Sequence, residues 1–338
     1  MQATDLRPEW FAPSRRYYPL SHFLRRRFGA KVWRVTVDAG FTCPNVDGSI
    51  TTGGCVYCDN RSFSPNRRLP HVSVRAQVER GVRILENYYG ADRFLVYFQA
   101  ATNTHAAPDK LKRLYDEALD HPQIVGLVVG TRPDCVPEPV LNLLEEYARS
   151  RFVSLELGLQ SIHDRSLTWM NRGHGVAAFV DAVARCRGRG FEVSSHVILG
   201  LPGESHDNML ATADALASLP VDAVKIHNLH VVRGTPLEEM YRAGTVRMLE
   251  LAEYVALVCD FLERLPATMV IQRLSGDAPP EYLVAPAWCL DKPGLLSAIH
   301  GELARRDSWQ GRLCGRHPQH CTALTFLAPR PLPLVRTQ

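Results

Sequence analysis

Six times along this chain a short β-rich run is followed by a run with helical spacing, and that alternation admits few folds. The β-rich runs are Val32–Val37, Phe94–Phe98, Ile124–Val129, Val153–Leu157, Val193–Leu199, Ala223–Ile226 and Met269–Ile271. Several are continuously apolar, as in Ile124-Val125-Gly126-Leu127-Val128-Val129, which suits parallel strands covered on both faces. Between them, Val74–Tyr89, Pro108–Leu119, Pro137–Ala148, Val176–Arg189, Asp207–Ala217 and Leu249–Leu265 repeat apolar residues every three or four positions. Pro108 and Pro137 suit a first helical turn, and Asp207 suits an N-cap. Strand then helix, repeated, predicts a parallel α/β fold.

Two parallel architectures compete, and the strand ends decide between them. Nearly every run delivers polar or glycine residues where it meets its following loop: Asp38, Gln99 to Asn103, Gly130-Thr131-Arg132, Leu159-Gln160-Ser161, Gly200 to Glu204 and His227-Asn228. A doubly wound sheet gathers its site at one or two crossings, whereas a barrel spreads it over all strand ends. The expectation is an α/β fold, a partial (βα)6 TIM-type barrel of parallel strands with a C-terminal extension. A basic N-terminal arm covers 1–34, the barrel core 35–275, and the extension and tail 276–338.

The 338 residues are 46% hydrophobic and 22% charged, which is enough apolar material for a core without a disulfide scaffold. No run approaches the roughly 20 apolar residues of a membrane helix, so no membrane partner is expected. Met1 to Pro19 has three prolines and no apolar segment of the secretory kind, which leads us to expect a cytoplasmic protein. In that compartment its nine cysteines are core residues, metal ligands or redox groups rather than disulfides. The net charge of +4 is unevenly spread: residues 1–34 carry +6, residues 305–338 carry +5, and the body between them −7. Two basic ends are compatible with a polyanion-binding surface and equally with solvated terminal segments.

The cysteines carry the strongest chemical signal. Cys43, Cys55 and Cys58 fall within 16 residues at spacing C-x₁₁-C-x₂-C, after the first strand. Gly48, Gly53 and Gly54 let the loop fold tightly enough to bring three thiolates together. Thiolates select zinc or iron–sulfur centres. A fourth ligand such as Asp59 or a distant histidine would complete a zinc site. Buried unligated cysteines are the plainest alternative. The third reading is a [4Fe–4S] cluster with one iron left open, as a catalytic metal centre keeps a position for a co-substrate. At a barrel mouth that co-substrate would be S-adenosylmethionine, chelating the open iron through its amino and carboxylate groups.

Further stretches sharpen this. They are Arg16 to Leu20, Asp38 to Asn45, Tyr97 to Thr104, Gly130 to Asp134, Glu156 to Ser161, Asn171 to His174 and His196 to Glu204. The resemblance they carry extends over most of the chain, which in combination resembles radical SAM proteins, in the branch similar to the elongator catalytic subunit. The resemblance implies that Cys43, Cys55 and Cys58 ligate a [4Fe–4S] cluster. It implies that Gln160 and Arg172 contact S-adenosylmethionine, and that Thr102 and Gly200 line the same cleft. It implies an electron donor such as flavodoxin or ferredoxin, and reductive cleavage of S-adenosylmethionine to a 5′-deoxyadenosyl radical. The substrate it suggests is tRNA, through radical conversion of 5-carboxymethylaminomethyluridine at the wobble position to the 5-aminomethyl form. Two alternatives stand beside it: a radical SAM enzyme on a small molecule, and a non-catalytic zinc-stabilised RNA-binding protein.

The chain also departs from the family pattern. Gln99-Ala100-Ala101 stands where many members have a Gly-Gly-Glu-like stretch, and Gly130 and His196 stand where carboxylates are common. Glu156 is a candidate substitute for one of these. Elsewhere, Cys186 and Cys259 fall on apolar helix faces and read as core, and Cys289 reads as packing. Cys135 at a strand end reads as a loop cysteine or a second thiol near the radical. Cys314, His317, His320 and Cys321 form a crowded cluster that suits a polar tail or a zinc site. His227, His230 and Arg233 read as pocket residues, and Arg273 and Asp277 as an ion pair or a lid over the mouth. In the N-terminal arm, arginines 15, 16 and 25 to 27 alternate with Tyr17, Tyr18, Phe23 and Phe28, a pattern that suits RNA. It also suits an amphipathic helix with Leu20, Phe23 and Leu24 on the barrel.

Overall fold

The structure is a computed structural model that describes residues 7–315. The strands are β1 (Trp33–Val37), β2 (Phe94–Phe98), β3 (Ile124–Thr131), β4 (Phe152–Gln160), β5 (Glu192–Leu199), β6 (Ala223–Asn228), β7 (Val231–Val232), β8 (Val270–Arg273) and β9 (Leu283–Ala285). Seven of them form one parallel sheet in the order β1-β2-β3-β4-β5-β6-β8, and β7 and β9 make a small antiparallel pair. The sheet curls into an open partial barrel, as expected from the sequence. Alternate residues divide it: Val153, Leu155, Leu157 and Leu159 of β4 join the outer core with the helices, while Glu156, Gly158 and Gln160 face inward. Val224 and Ile226 of β6 point out to the same core, and Lys225 and His227 line the interior.

The helices follow the expected runs. Pro108–Leu119 and Val74–Tyr89 match the predicted spans. The helix after β5 is capped differently from the expectation. Its N-cap is Ser205, two residues before Asp207, because Ser205 and Asn208 close a reciprocal capping box. Pro137 is the N-cap of Glu138–Ala148 rather than its first residue. Among the described residues no helix is long and apolar enough to cross a membrane.

The N-terminal arm closes the base of the barrel. Helix Leu20–Phe28 buries Leu24 against Leu95, Tyr97, Val128 and Phe152, with Leu20 and Phe23 packed beside it. This is the amphipathic-helix alternative, and Arg25, Arg26 and Arg27 lie exposed on its far side. The open seam beside β8 is stitched by the same arm, where Ile271 N donates to Tyr18 O at 2.8 Å. Residues 305–315 meet the arm there: Gln310 N donates to Arg16 O at 2.9 Å, and Asp307 lies 3.7 Å from both Arg7 and Arg16. Of the tail cluster, His317, His320 and Cys321 lie outside the described residues.

Candidate active site

The C-terminal ends of the strands open into one cavity of about 1380 Å³. A pocket for a single small ligand usually holds about 300–1,000 Å³, so this one has room for a cofactor and a substrate group together. Cys43, Cys55 and Cys58 line its wall. Their loop turns on Gly48, Gly53 and Gly54, at φ of 84°, 81° and 74°, and Cys58 N donates to Cys55 O at 3.0 Å. Cys55 is buried and Cys58 is open to the cavity. Desolvation by the surrounding cavity wall, and then the charges of Cys55 and Cys43, push the Cys58 thiol up even though its surface reaches the cavity.

Two donors aim at Cys55. Asn45 Nδ2 lies 3.5 Å and Arg172 Nη1 3.6 Å from its Sγ. Asn45 also donates to the carbonyls of Asn171 at 2.6 Å and Arg172 at 2.9 Å. Arg132, fully enclosed, donates to Asn45 Oδ1 at 2.6 Å and Arg172 O at 2.8 Å, and pairs with Asp134 at 2.7 Å. The cysteine loop, the end of β3 and segment 171–173 are thus tied through Asn45 and Arg132. Neither residue was singled out from sequence. Their signal was position: an asparagine two residues after the first cysteine, and an arginine just past an apolar strand.

The residues expected to contact S-adenosylmethionine divide. Arg172 and Gln160 come together at β4. Arg172 Nη2 donates to Gly158 O at 3.1 Å, and a Cβ at Gly158 would stand 2.4 Å from Arg172 Nη2 and 2.7 Å from Gln160 Nε2. Burial works against the charge of Arg172, yet Tyr57 and Cys55 raise its pKa further. Gln160 takes φ of 73° at a break in the β4–β5 register, a conformation that costs a non-glycine residue of order 1–3 kcal/mol and concentrates at functional sites. Thr102 lines the cavity with Oγ1 buried and unpartnered, as is Arg172 Nε. Orphaned polar atoms of this kind call for a bound group. Gly200 is not brought to the cavity: Leu249 occupies the space beside it, its amide faces Met209 Sδ, and Ile198 is what β5 presents instead.

Glu156 is no substitute for the missing carboxylates, because it is fully buried and committed elsewhere. Its Oε2 accepts from Tyr97 Oη at 2.6 Å, His196 Nε2 at 2.8 Å and Lys225 Nζ at 2.9 Å, while Oε1 faces Arg34 Nη1 at 3.1 Å. Burial opposes its charge, but Lys225 and Arg34 hold the carboxyl well below the usual range. After β2, Ala100 and Ala101 keep positive φ of 87° and 57°, the backbone a Gly-Gly pair would adopt. Cys289, read as packing, lines the cavity and faces Asn228 Nδ2 at 3.0 Å. Arg273 and Asp277 line it too and pair at 3.2 Å.

The donor set fits a thiolate-bound cluster. Three cysteines of one loop share a cavity wall, with a guanidinium and an amide N–H beside the most buried sulfur. Among the described residues no three His, Cys, Asp or Glu side chains are arranged to share a single ion, the arrangement a zinc site needs.

A partial parallel barrel with such a loop at its mouth suits a cluster enzyme, and comparison with known proteins gives the family. Residues 48–216 match the Radical SAM superfamily and residues 221–305 a Radical_SAM C-terminal domain. YtqA of Bacillus subtilis is 39% identical over 305 residues, 89% of this chain and 94% of that one. YhcC of Escherichia coli is 40% identical over 267 residues, 79% and 85% of the two chains. A tRNA uridine(34) acetyltransferase of Dehalococcoides mccartyi is 28% identical over 173 residues, 50% of this chain and 37% of that one. The archaeal Methanocaldococcus infernus Elp3 structure superposes with a TM-score of 0.64 at 20% identity, covering 82% of this chain and 64% of that one. The chain belongs to the radical SAM superfamily. It is a radical SAM enzyme, with a [4Fe–4S] cluster and S-adenosylmethionine as cofactors, which sets aside the non-catalytic zinc reading.

Proposed function

We propose that Cys43, Cys55 and Cys58 hold the cluster, that Arg172, Gln160 and Thr102 position S-adenosylmethionine beside it, and that the substrate is the 5-substituent of a tRNA wobble uridine. The observation that carries the site assignment is the meeting of Arg172 and Gln160 at Gly158, with Arg172 reaching the Cys55 sulfur, inside one cavity. The tRNA reading draws on the partial similarity to a tRNA uridine(34) acetyltransferase. When bound, the cluster supplies the electron that splits S-adenosylmethionine into methionine and a 5′-deoxyadenosyl radical.

This chain's residues bind, orient and shield. Arg172 places a fixed positive charge and a donor at Cys55, which favours the electron-rich form of a thiolate-bound group. Segment 276–290 walls one side of the cavity with Ala278, Pro279 and Leu290 and restricts water. On this reading a hydrogen atom is removed from the glycyl CH₂ of 5-carboxymethylaminomethyluridine, the resulting carbon radical would give up one further electron to the oxidised cluster, and water would hydrolyse the imine so formed, releasing the carboxymethyl carbons as glyoxylate and leaving the 5-aminomethyl form. A small acidic electron carrier of the flavodoxin or ferredoxin kind would serve as reductant. Mass spectrometry of tRNA nucleosides from a strain lacking the gene tests this. Accumulated 5-carboxymethylaminomethyluridine is the expected result, and an unchanged profile where no redundant pathway exists would overturn the tRNA reading.

A further inference from the structure

The inner end of the cavity has more positive charge than its own residues neutralise. Arg34 and Lys225 face a single carboxylate, that of Glu156. Arg273, at the end of β8, is matched by Asp277. Asp277 is also approached by Lys292 at 3.7 Å, and Arg34 and Lys225 against Glu156 leave one positive charge over where the side chains are largely closed off from solvent, an imbalance that is costly unless a ligand meets it. The donors are also unfilled. Lys225 Nζ donates to Tyr97 Oη at 2.8 Å and to Glu156 at 2.9 Å, which leaves one of its three protons. Arg34 Nε and His227 Nε2 are buried without partners.

We propose that Lys225, Arg273 and His227 form an anion subsite that takes a carboxylate of the substrate. The side chains surround one volume: Lys225, His227 and Arg273 all line the cavity, on neighbouring strands β6 and β8, where Lys225 pairs in register with Arg273. Their titration agrees with a chamber awaiting an anion. Burial first, and then Arg34 and Arg273, lower Lys225 to about 8 against the opposing pull of Glu156. Burial and the nearby Arg273 keep His227 neutral. A carboxylate entering here gains charge-assisted hydrogen bonds, and a protonated amine or a methyl group in its place offers no acceptor and leaves the same donors unsatisfied. The subsite thus selects for a substituent ending in a carboxylate. The inference rests on the proposed function only in placing the substrate in this cavity.

The test uses holoenzyme saturated with S-adenosylmethionine, so that any anion bound is additional to the cofactor. Anticodon stem-loops carrying 5-carboxymethylaminomethyluridine, 5-aminomethyluridine or plain uridine at the wobble position are compared by fluorescence anisotropy. The wild type should prefer the carboxylate-bearing RNA by about tenfold or more. Arg273→Gln and Lys225→Gln should each erase that preference while plain RNA binds as before. Equal binding of all three RNAs by the wild type would overturn the anion subsite and leave the tRNA reading standing. Absence of any RNA binding would remove the tRNA reading instead, and small probes then decide. In ¹⁵N-histidine-labelled holoenzyme, acetate but not acetamide should shift the His227 resonance saturably, and Arg273→Gln should abolish the shift. No shift with acetate would overturn the subsite.

Discussion

Gly158→Ala isolates the role of Arg172 without touching a cysteine. Gly158 lies in β4, and its φ is not among the positive values that favour glycine, so alanine fits the backbone there. The added Cβ would stand 2.4 Å from Arg172 Nη2 and 2.7 Å from Gln160 Nε2. Both contacts are with the ends of long side chains, so the side chains move and the strand stays. Arg172 then leaves Gly158 O, 3.1 Å away, and Cys55 Sγ, 3.6 Å away. A hydrogen bond to a charged group contributes about 1.5–3 kcal/mol, so S-adenosylmethionine affinity should fall roughly tenfold to a hundredfold. Loss of a cation and donor beside a cluster thiolate should also lower the midpoint potential, because the reduced state is the more negative. Equilibrium dialysis with labelled S-adenosylmethionine measures the first effect, and EPR-monitored redox titration the second. Gly301→Ala, at a helical position with open space around it, is the control. Unchanged affinity and potential in Gly158→Ala, at full iron content, would refute the placement of Arg172 between cluster and co-substrate.

Replacing Cys43, Cys55 or Cys58 with alanine should abolish iron incorporation and S-adenosylmethionine cleavage, measured as 5′-deoxyadenosine release. Cys186→Ala and Cys259→Ala, both deep in the core, should cost only about 1–3 kcal/mol of stability. Glu156→Gln leaves Lys225 and Arg34 buried without their counter-charge and should lose about 3–5 kcal/mol in urea unfolding; a change under 1 kcal/mol would contradict the network. Glu192, at the start of β5, is raised from 4.5 to about 7 by burial and by Asp222. The folded state therefore keeps its proton longer, and this contribution is full below pH 4.5 and lost as pH rises through 7. At about 1.4 kcal/mol per pH unit the decline is at most about 3.5 kcal/mol. Glu192→Gln should flatten it, and an unaltered pH–stability curve would dismiss the shift.

The fold was legible because the strands of a parallel barrel are covered outside by helices and write themselves as apolar runs. The cysteine loop was legible because three thiols at short spacing have few structural uses. The interior charges were harder to read. Arg34 in Trp-Arg-Val-Thr-Val and Lys225 in Val-Lys-Ile-His look like solvent-facing residues of a half-exposed strand. Only the closure of the barrel turns that alternate face into a buried chamber. Ala100 and Ala101 were illegible for a different reason: alanine disfavours positive φ, and the surrounding contacts impose it, with Ala101 N donating to Asn60 Oδ1 at 3.1 Å. Gly200 was misplaced because a glycine after a strand marks a turn, and a turn does not say which residue faces inward.

The position of the basic ends changes how RNA would be recognised. The described parts of both, residues 7–34 and 305–315, meet at the base, where Gln310, fully buried, accepts from Tyr18 N at 2.8 Å and donates to the carbonyls of Pro266 and Met269. The mouth lies at the other end of the strands, and β4 alone, nine residues long, spans about 30 Å. Arginines at the base therefore cannot steer a flipped base into the cavity. The groups that can are at the rim. Phe63 is 42% exposed and lines the cavity beside Arg61 and Arg68, offering a stacking face next to phosphate-pairing cations. These arginines already pair with Asp59 and Glu281, so phosphates would have to compete for them. For such an RNA, affinity at the mouth would come from stacking and from what the buried chamber holds, and the base arginines would add reach only for an RNA long enough to pass the barrel's full height.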